Sequence, residues 1–152
     1  MNSRSIVPAP GSQDLQRDGA SWWARELFLS PDSEGGVCPE VIDVTGRARY
    51  LFFGPYIELP SGIWRAEIRF HLCPDASRCR LAAQFGAEPD YATVDVPNGK
   101  PGSRVIRIEH ARREPGLSQI RLWLKKAAFH GEVRLSGAAV SRIGDYSIDA
   151  NS

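Results

Sequence analysis

The chain has 152 residues, with nineteen Lys and Arg against eighteen Asp and Glu and a formal net charge of +1, so no overall field draws it to nucleic acid or to an anionic membrane. That length fits one domain able to bury about two-thirds of the surface its unfolded form exposes, with no metal or disulfide staple required. The amino terminus MNSRSIVPAPGSQDLQRDG has no apolar run of signal-peptide length, and the chain has no uninterrupted apolar stretch of about eighteen residues. The reading is a soluble cytoplasmic protein without a membrane span.

Residues 1–20 are rich in Ser, Pro, Gly and Gln and lack periodicity, which predicts a flexible N-terminal arm. Residues 147–152 predict a polar tail, leaving 21–146 for a single β-sandwich domain. The stretch WWARELFLS is the one place where a helical period could be sustained. Trp22 and Trp23 are adjacent, so in an extended chain they point to opposite faces. One would staple the first strand to the core, and the other would be exposed or sit in a subunit contact. The cluster PDSEGG at 31–36 supplies Asp32 and Glu34, the place for a structural calcium ion if the fold holds one, with a plain turn as the competing reading.

Strands are expected at 40–44 and 47–53. Gly54-Pro55 is then expected to break the run, because proline cannot donate to a ladder and biases its predecessor toward extended backbone. The preceding YLFF, four consecutive apolar residues, suggests a strand covered on both faces or meeting a partner. Leu59-Pro60-Ser61-Gly62 has the residue preferences of a type I turn. Read as a tight hairpin, it sets Ile57 opposite Trp64 and Tyr56 opposite Arg65, with Trp64 in the core and Tyr56 outside.

The clearest strand follows at 64–72, where Trp64, Ala66, Ile68, Phe70 and Leu72 alternate with Arg65, Glu67, Arg69 and His71. Further strands are read at 80–87 and 91–96, at 103–110 with Ile106 and Ile108 inward, at 119–125 with Ile120, Leu122 and Leu124 inward, and at 132–143 with a bulge at Gly137. The CPDASRC step places Cys73 and Cys79 in a loop, as thiols in a reducing compartment or as a disulfide if exported; with Cys38 they make three cysteines and no zinc pattern. About eight or nine short strands between turns, with no helical crossovers, give an all-β, two-sheet antiparallel β-sandwich, with a jelly roll as the preferred topology.

The segment FGPYIELPSGIWRAEIRF at 53–70 resembles the "YGPY…LP.G.YR…F.L" pattern of jelly-roll, galactose-binding-like modules related to carbohydrate-binding modules. These accompany bacterial glycosyltransferases and polysaccharide-synthesis proteins. LSQIRLWLKKAAFHGEVRLSGAAVSRI at 117–143 looks like their closing pair of strands. The resemblance spans roughly residues 45–145 and rests on turn and core positions, with Trp64 where the family more often has tyrosine. It implies a non-catalytic module whose partner is a glycan or glycoconjugate.

A sugar site needs an outward ring with charged neighbours. Trp123 fits, because the alternation in QIRLWLK sets it with Arg121 and Lys125, opposite Ile120, Leu122 and Leu124; the competing reading is a ring under a loop or a partner chain. Tyr56 with Arg65 and Arg69 is the second candidate, against a solvated, ion-paired face. Sixteen of the nineteen cations are Arg, suited to carboxylates or phosphates, although genome composition produces the same bias. HARREP at 110–115 reads as a basic loop. There is no GxSxG, HExxH, phosphate loop or GxGxxG, and His71, His110 and His130 lack metal-site spacing. The expectation is therefore no catalytic residue, no metal and no cofactor. A protein-interaction or homo-oligomerisation module is the alternative, and a sugar-active enzyme the third reading.

Overall fold

The alternating segment after Gly62 becomes a central strand, and the sandwich is assembled around it. A computed structural model describes residues 20–146, so all but the last residue of the arm read at 1–20, and the whole tail read at 147–152, lie outside the described residues. The strands are β1 (Ser21–Ala24), β2 (Ile42–Asp43), β3 (Arg49–Leu59), β4 (Gly62–Leu72), β5 (Leu81–Ala87), β6 (Asp90–Asp95), β7 (Gly102–Arg112), β8 (Gly116–Leu124) and β9 (Glu132–Gly144). One antiparallel sheet runs β1-β9-β4-β7, with β2 also on β9, and the other runs β3-β8-β5-β6. The architecture is the all-β, two-sheet sandwich of jelly-roll type that the alternation predicts.

The inner faces meet in one contiguous core. Trp64, Ala66, Ile68, Phe70 and Leu72 of β4 and Ile106 and Ile108 of β7 pack toward Ile120, Leu122 and Leu124 of β8 and Leu81, Ala83 and Phe85 of β5. Burying each large aliphatic or phenyl side chain contributes about 1.5–3 kcal/mol, so this inward set is what holds the sheets together. Trp23 is buried and stacks edge-on to Phe85 with ring centroids 6.5 Å apart, while Trp22 stays half-exposed on the other face, as adjacent strand residues must. Gly137 marks a bulge, since β4 pairs Arg69 with Gly137 and Phe70 with Leu135, skipping Ser136. A Cβ at Gly137 would lie 2.6 Å from both Trp22 Cζ2 and the Trp23 carbonyl, so glycine is what lets β1 dock.

Four expectations are corrected. Leu59 to Gly62 does not close a hairpin, because both edges of β4 are already taken by β7 and β9. The turn instead carries the chain from one sheet to the other, Ile57 pairs with Ser118, and the Trp64 Nε1–H donates to the Pro60 carbonyl at 2.9 Å. Trp64 is inside, as expected, but Tyr56 does not sit opposite Arg65. Gly54-Pro55 does not end its strand: β3 continues to Leu59 and absorbs the proline as an irregularity between Pro55 and Ile57. The helical reading of WWARELFLS fails. Both tryptophans belong to β1, which pairs with the small residues Gly137, Ala138 and Ala139, and only Arg25–Leu27 forms a single 3-10 turn.

The YLFF run has a different origin from the one expected. A register shift between Tyr50 and Phe52 makes Leu51 the extra residue of a bulge, so Leu51 and Phe52 are both fully buried. Tyr50 and Phe53 are left half-exposed. All three cysteines are free thiols; Cys38 is buried, and burial pushes its thiol up to about 11, which makes it an inert core group at neutral pH. Cys73 Sγ accepts the Glu132 N–H at 3.1 Å.

Candidate functional site

The even/odd alternation that buries Ile120, Leu122 and Leu124 puts Gln119, Arg121 and Trp123 on the opposite face of β8. Their ladder partners place them at the middle of the outer face of the four-stranded sheet. Trp123 lies between Tyr50 of β3 and Ala82 of β5, and Arg121 between Phe53 and Gln84. The Trp123 and Tyr50 rings are 6.3 Å apart and tilted by 42°, forming an angled pair rather than a stack. The Arg121 guanidinium lies 4.6 Å over the Tyr50 ring and 3.8 Å over the Tyr91 ring, and its Nε donates to Gln84 Oε1 at 2.9 Å. Just past the end of β8, Lys125 Nζ sits 5.7 Å over Trp123 and pairs with Asp95 at 3.1 Å. Ala82 is on this face yet fully buried and outside the inner core, so the neighbouring outer-face side chains cover it. The result is a strip of aromatic faces edged by fixed donors and acceptors.

At one end of the sandwich a cleft of about 880 Å³ opens between the β5–β6 and β7–β8 turns. Tyr56, Leu117 and Tyr146 border it, and Tyr91 and Gln119 belong to both the cleft and the ring-bearing face. Tyr56 holds φ 68, a left-handed conformation rare for a residue with a side chain, and its ring meets Phe53 edge-on at 6.5 Å. The inward row of β7 continues past Ile106 and Ile108 to His110 and Arg112, both buried. His110 Nε2 lies 3.1 Å from Asp90 Oδ2, and its ring meets Phe85 edge-on at 6.2 Å. Arg112 donates through Nη1 to Ser118 Oγ and through Nε to the Glu114 carbonyl at 3.3 Å. Burial lowers the Arg112 pKa from its ordinary value, and the nearby Asp90 carboxylate opposes that change. Gln119 Nε2 donates to the Tyr91 hydroxyl at 2.6 Å; burial raises the Tyr91 pKa, so the phenol stays neutral.

No protein-family model and no curated protein matches this chain. Solved structures do. TmCBM61, determined in complex with beta-1,4-galactotriose, superposes with a TM-score of 0.51 at 15% identity, over 93% of this chain and 100% of that one. The module CBM6cm-2 from Cellvibrio mixtus lichenase 5A, in complex with cellotriose, gives 0.46 at 15% identity over 88% and 95%. A family 16 carbohydrate binding module gives 0.45 at 10% identity over 83% and 87%. The fold comparison rests on the first of these. The chain has a fold like that of a carbohydrate-binding module.

The two sets of site residues read from the sequence fare differently. Trp123, Arg121 and Lys125 are brought together on one face, with Tyr50, Tyr91 and Gln84 added by strand pairing that no local pattern announces. Tyr56 is separated from Arg65 and Arg69, which lie on the outer face of the other sheet. There Arg65 pairs with Glu109 at 3.0 Å, while Glu67 holds Arg107 at 2.8 Å and Arg69 at 3.6 Å, a largely self-satisfied ionic face. Asp32 of the candidate calcium turn is engaged with Arg49 Nε at 2.6 Å. Among the described residues no cluster of three or more His, Cys, Asp or Glu is placed to hold a metal ion. The sequence reading missed the cleft. HARREP is not a basic loop throughout, since His110 and Arg112 are the buried end of β7; extending the inward alternation two steps beyond Ile108 would have found them.

Proposed function

We propose that the protein is a non-catalytic module that holds a glycan or glycoconjugate against the outer face of the β3-β8-β5-β6 sheet. The observation that carries this reading is the Trp123–Tyr50 pair on that face, edged by Arg121, Gln84, Lys125 and Asp95. Aromatic faces take the apolar side of a pyranose ring, and planar or charged side groups around them bond its hydroxyls. The neighbour of like fold was solved with an oligosaccharide bound, which supports the same use here. Binding is weak, because an open face orders few contacts and association still costs translational and rotational freedom. A setting beside sugar-transferring or polysaccharide-building enzymes belongs to this reading.

The test is a titration of intrinsic tryptophan fluorescence, backed by calorimetry, with neutral oligosaccharides such as galactotriose and cellotriose. Saturable binding that Trp123→Ala abolishes supports the reading, and no response to any oligosaccharide sinks it. One observation favours a second reading, an interaction or homo-oligomerisation module: Phe129, in the loop between β8 and β9, is 85% exposed. A mass that rises with concentration in light scattering and falls to that of the monomer in Phe129→Ser would select it.

A further inference from the structure

Three polar side chains at the end cleft each leave one atom without a partner, and together those atoms describe a ligand. Arg112 is only 6% exposed, yet it makes no ion pair among the described residues, and its Nη2 has no hydrogen-bond acceptor there. Burial disfavours the charged guanidinium and the Asp90 carboxylate offsets this without touching it, so an anion supplied from outside would give Arg112 the contacting partner it lacks. His110 faces the Asp90 carboxylate through Nε2; in the tautomer that carries its proton on that atom Nδ1 is an acceptor, and Nδ1 is buried without a partner. Gln119 spends its amide N–H on Tyr91, and its Oε1 is likewise buried without a donor. The deficit is therefore two acceptors wanting hydroxyl groups and one cationic donor edge wanting an anion.

The geometry points to the cleft as a binding site for a hydroxylated carboxylate, the sugar form of which is a uronic acid. Its carboxylate meets Arg112 through Nη2, the guanidinium nitrogen left without an acceptor, in a charge-assisted hydrogen bond. Its hydroxyls donate toward His110 and Gln119, and the rings of Tyr56, Tyr91 and Tyr146 border its apolar side. A neutral sugar leaves the guanidinium without its counter-charge. Phosphate brings few donors for the two empty acceptors, and its second negative charge meets Glu88, Asp90 and Glu114, all exposed at the rim. The volume, about 880 Å³, lies within the range of small-ligand sites. Gly116 keeps the cleft open around the cation, since a Cβ there would stand 2.7 Å from Arg112 Nη2. This inference deepens the glycan reading by naming an acidic sugar unit, but its groups are independent of Trp123.

The experiment is a nitrogen-15 correlation spectrum of the full chain titrated separately with glucuronic acid, glucose and inorganic phosphate. Glucuronate is expected to shift the amides of His110, Arg112, Ser118 and Gln119 and the Arg112 Nε–H, whereas glucose and phosphate leave them in place. Arg112→Gln should weaken glucuronate by about tenfold or more, and Trp123→Ala should leave it unchanged. Should Arg112→Gln not fold, Gln119→Leu removes an acceptor without touching the charge and should weaken glucuronate too. Equal shifts with glucose, displacement by phosphate, unchanged affinity in these cleft variants, or no response to glucuronate in the wild type each overturns the site. Neutral oligosaccharides failing on the ring face while glucuronate fills the cleft would remove the first reading and leave this one. The reverse result would do the opposite.

Discussion

Replacing Trp64 by alanine tests the register on which both sites depend. Trp64 is 8% exposed, lies between His110 of β7 and Arg142 of β9 in the ladder, and closes the crossover turn by donating to the Pro60 carbonyl. Truncating a buried Trp to Ala costs about 3–5 kcal/mol from lost transfer energy and the cavity left behind. The hydrogen bond accounts for about 1 kcal/mol of that. Against a total stability of about 5–15 kcal/mol this is a large fraction, and for a chain of this size it lowers the unfolding midpoint by about 6–20 °C. Urea unfolding followed by far-ultraviolet circular dichroism measures it without relying on tryptophan emission. Trp123→Ala, on the outer face, should cost less than about 1 kcal/mol. A loss below about 1 kcal/mol for Trp64→Ala, or a larger loss for Trp123→Ala than for Trp64→Ala, would refute the assignment of which ring is core and which is surface.

Three other variants probe separate parts of the account. Gly137→Ala adds a methyl against Trp22 and the Trp23 carbonyl at a residue with φ 149, and should destabilise by about 1–3 kcal/mol in the same urea assay. The hydrogen bond from Arg107 holds Glu67 below its ordinary 4.5, so its contribution is present above that value and is lost as pH falls through the lower folded-state value. Glu67→Gln should remove that slope from acid unfolding curves, with an effect of at most about 1 kcal/mol because Arg107 is exposed. Arg112→Met replaces a buried cation that no carboxylate contacts by an apolar chain of similar length and should raise stability by about 1–3 kcal/mol in thermal unfolding. A clear fall in stability would show that the cation is already satisfied.

How far the molecule is legible in its sequence depends on which interactions decide each part. The alternation at Trp64 to Leu72 and at Ile120 to Leu124 is written along single strands, so the inward sets and the outward position of Trp123, Arg121 and Lys125 follow from period alone. Gly137 announces its bulge because a close approach of two chains needs a missing Cβ. Pairing is another matter. Nothing local to the Pro60 turn states that β4 will use both edges on β7 and β9, so the expected hairpin and the Tyr56–Arg65 grouping fail together. Tyr50 and Tyr91 join Trp123 and Arg121 only because β3, β8, β5 and β6 lie side by side. His110 and Arg112 were obscured by their polarity: polar residues near a turn suggest solvent, whereas here the inward row simply runs past the end of the apolar core.

The most direct test of the central claim is to map, by backbone and indole amide shifts, where a neutral oligosaccharide sits on the nitrogen-15-labelled protein. The account predicts shifts at Tyr50, Gln84, Arg121, Trp123 and Lys125 and in the Trp123 indole, with Trp23 and Trp64 unmoved and the ionic face at Arg65 and Arg69 silent. Shifts centred on Arg65 and Arg69, or saturable binding that bypasses Trp123, would contradict it.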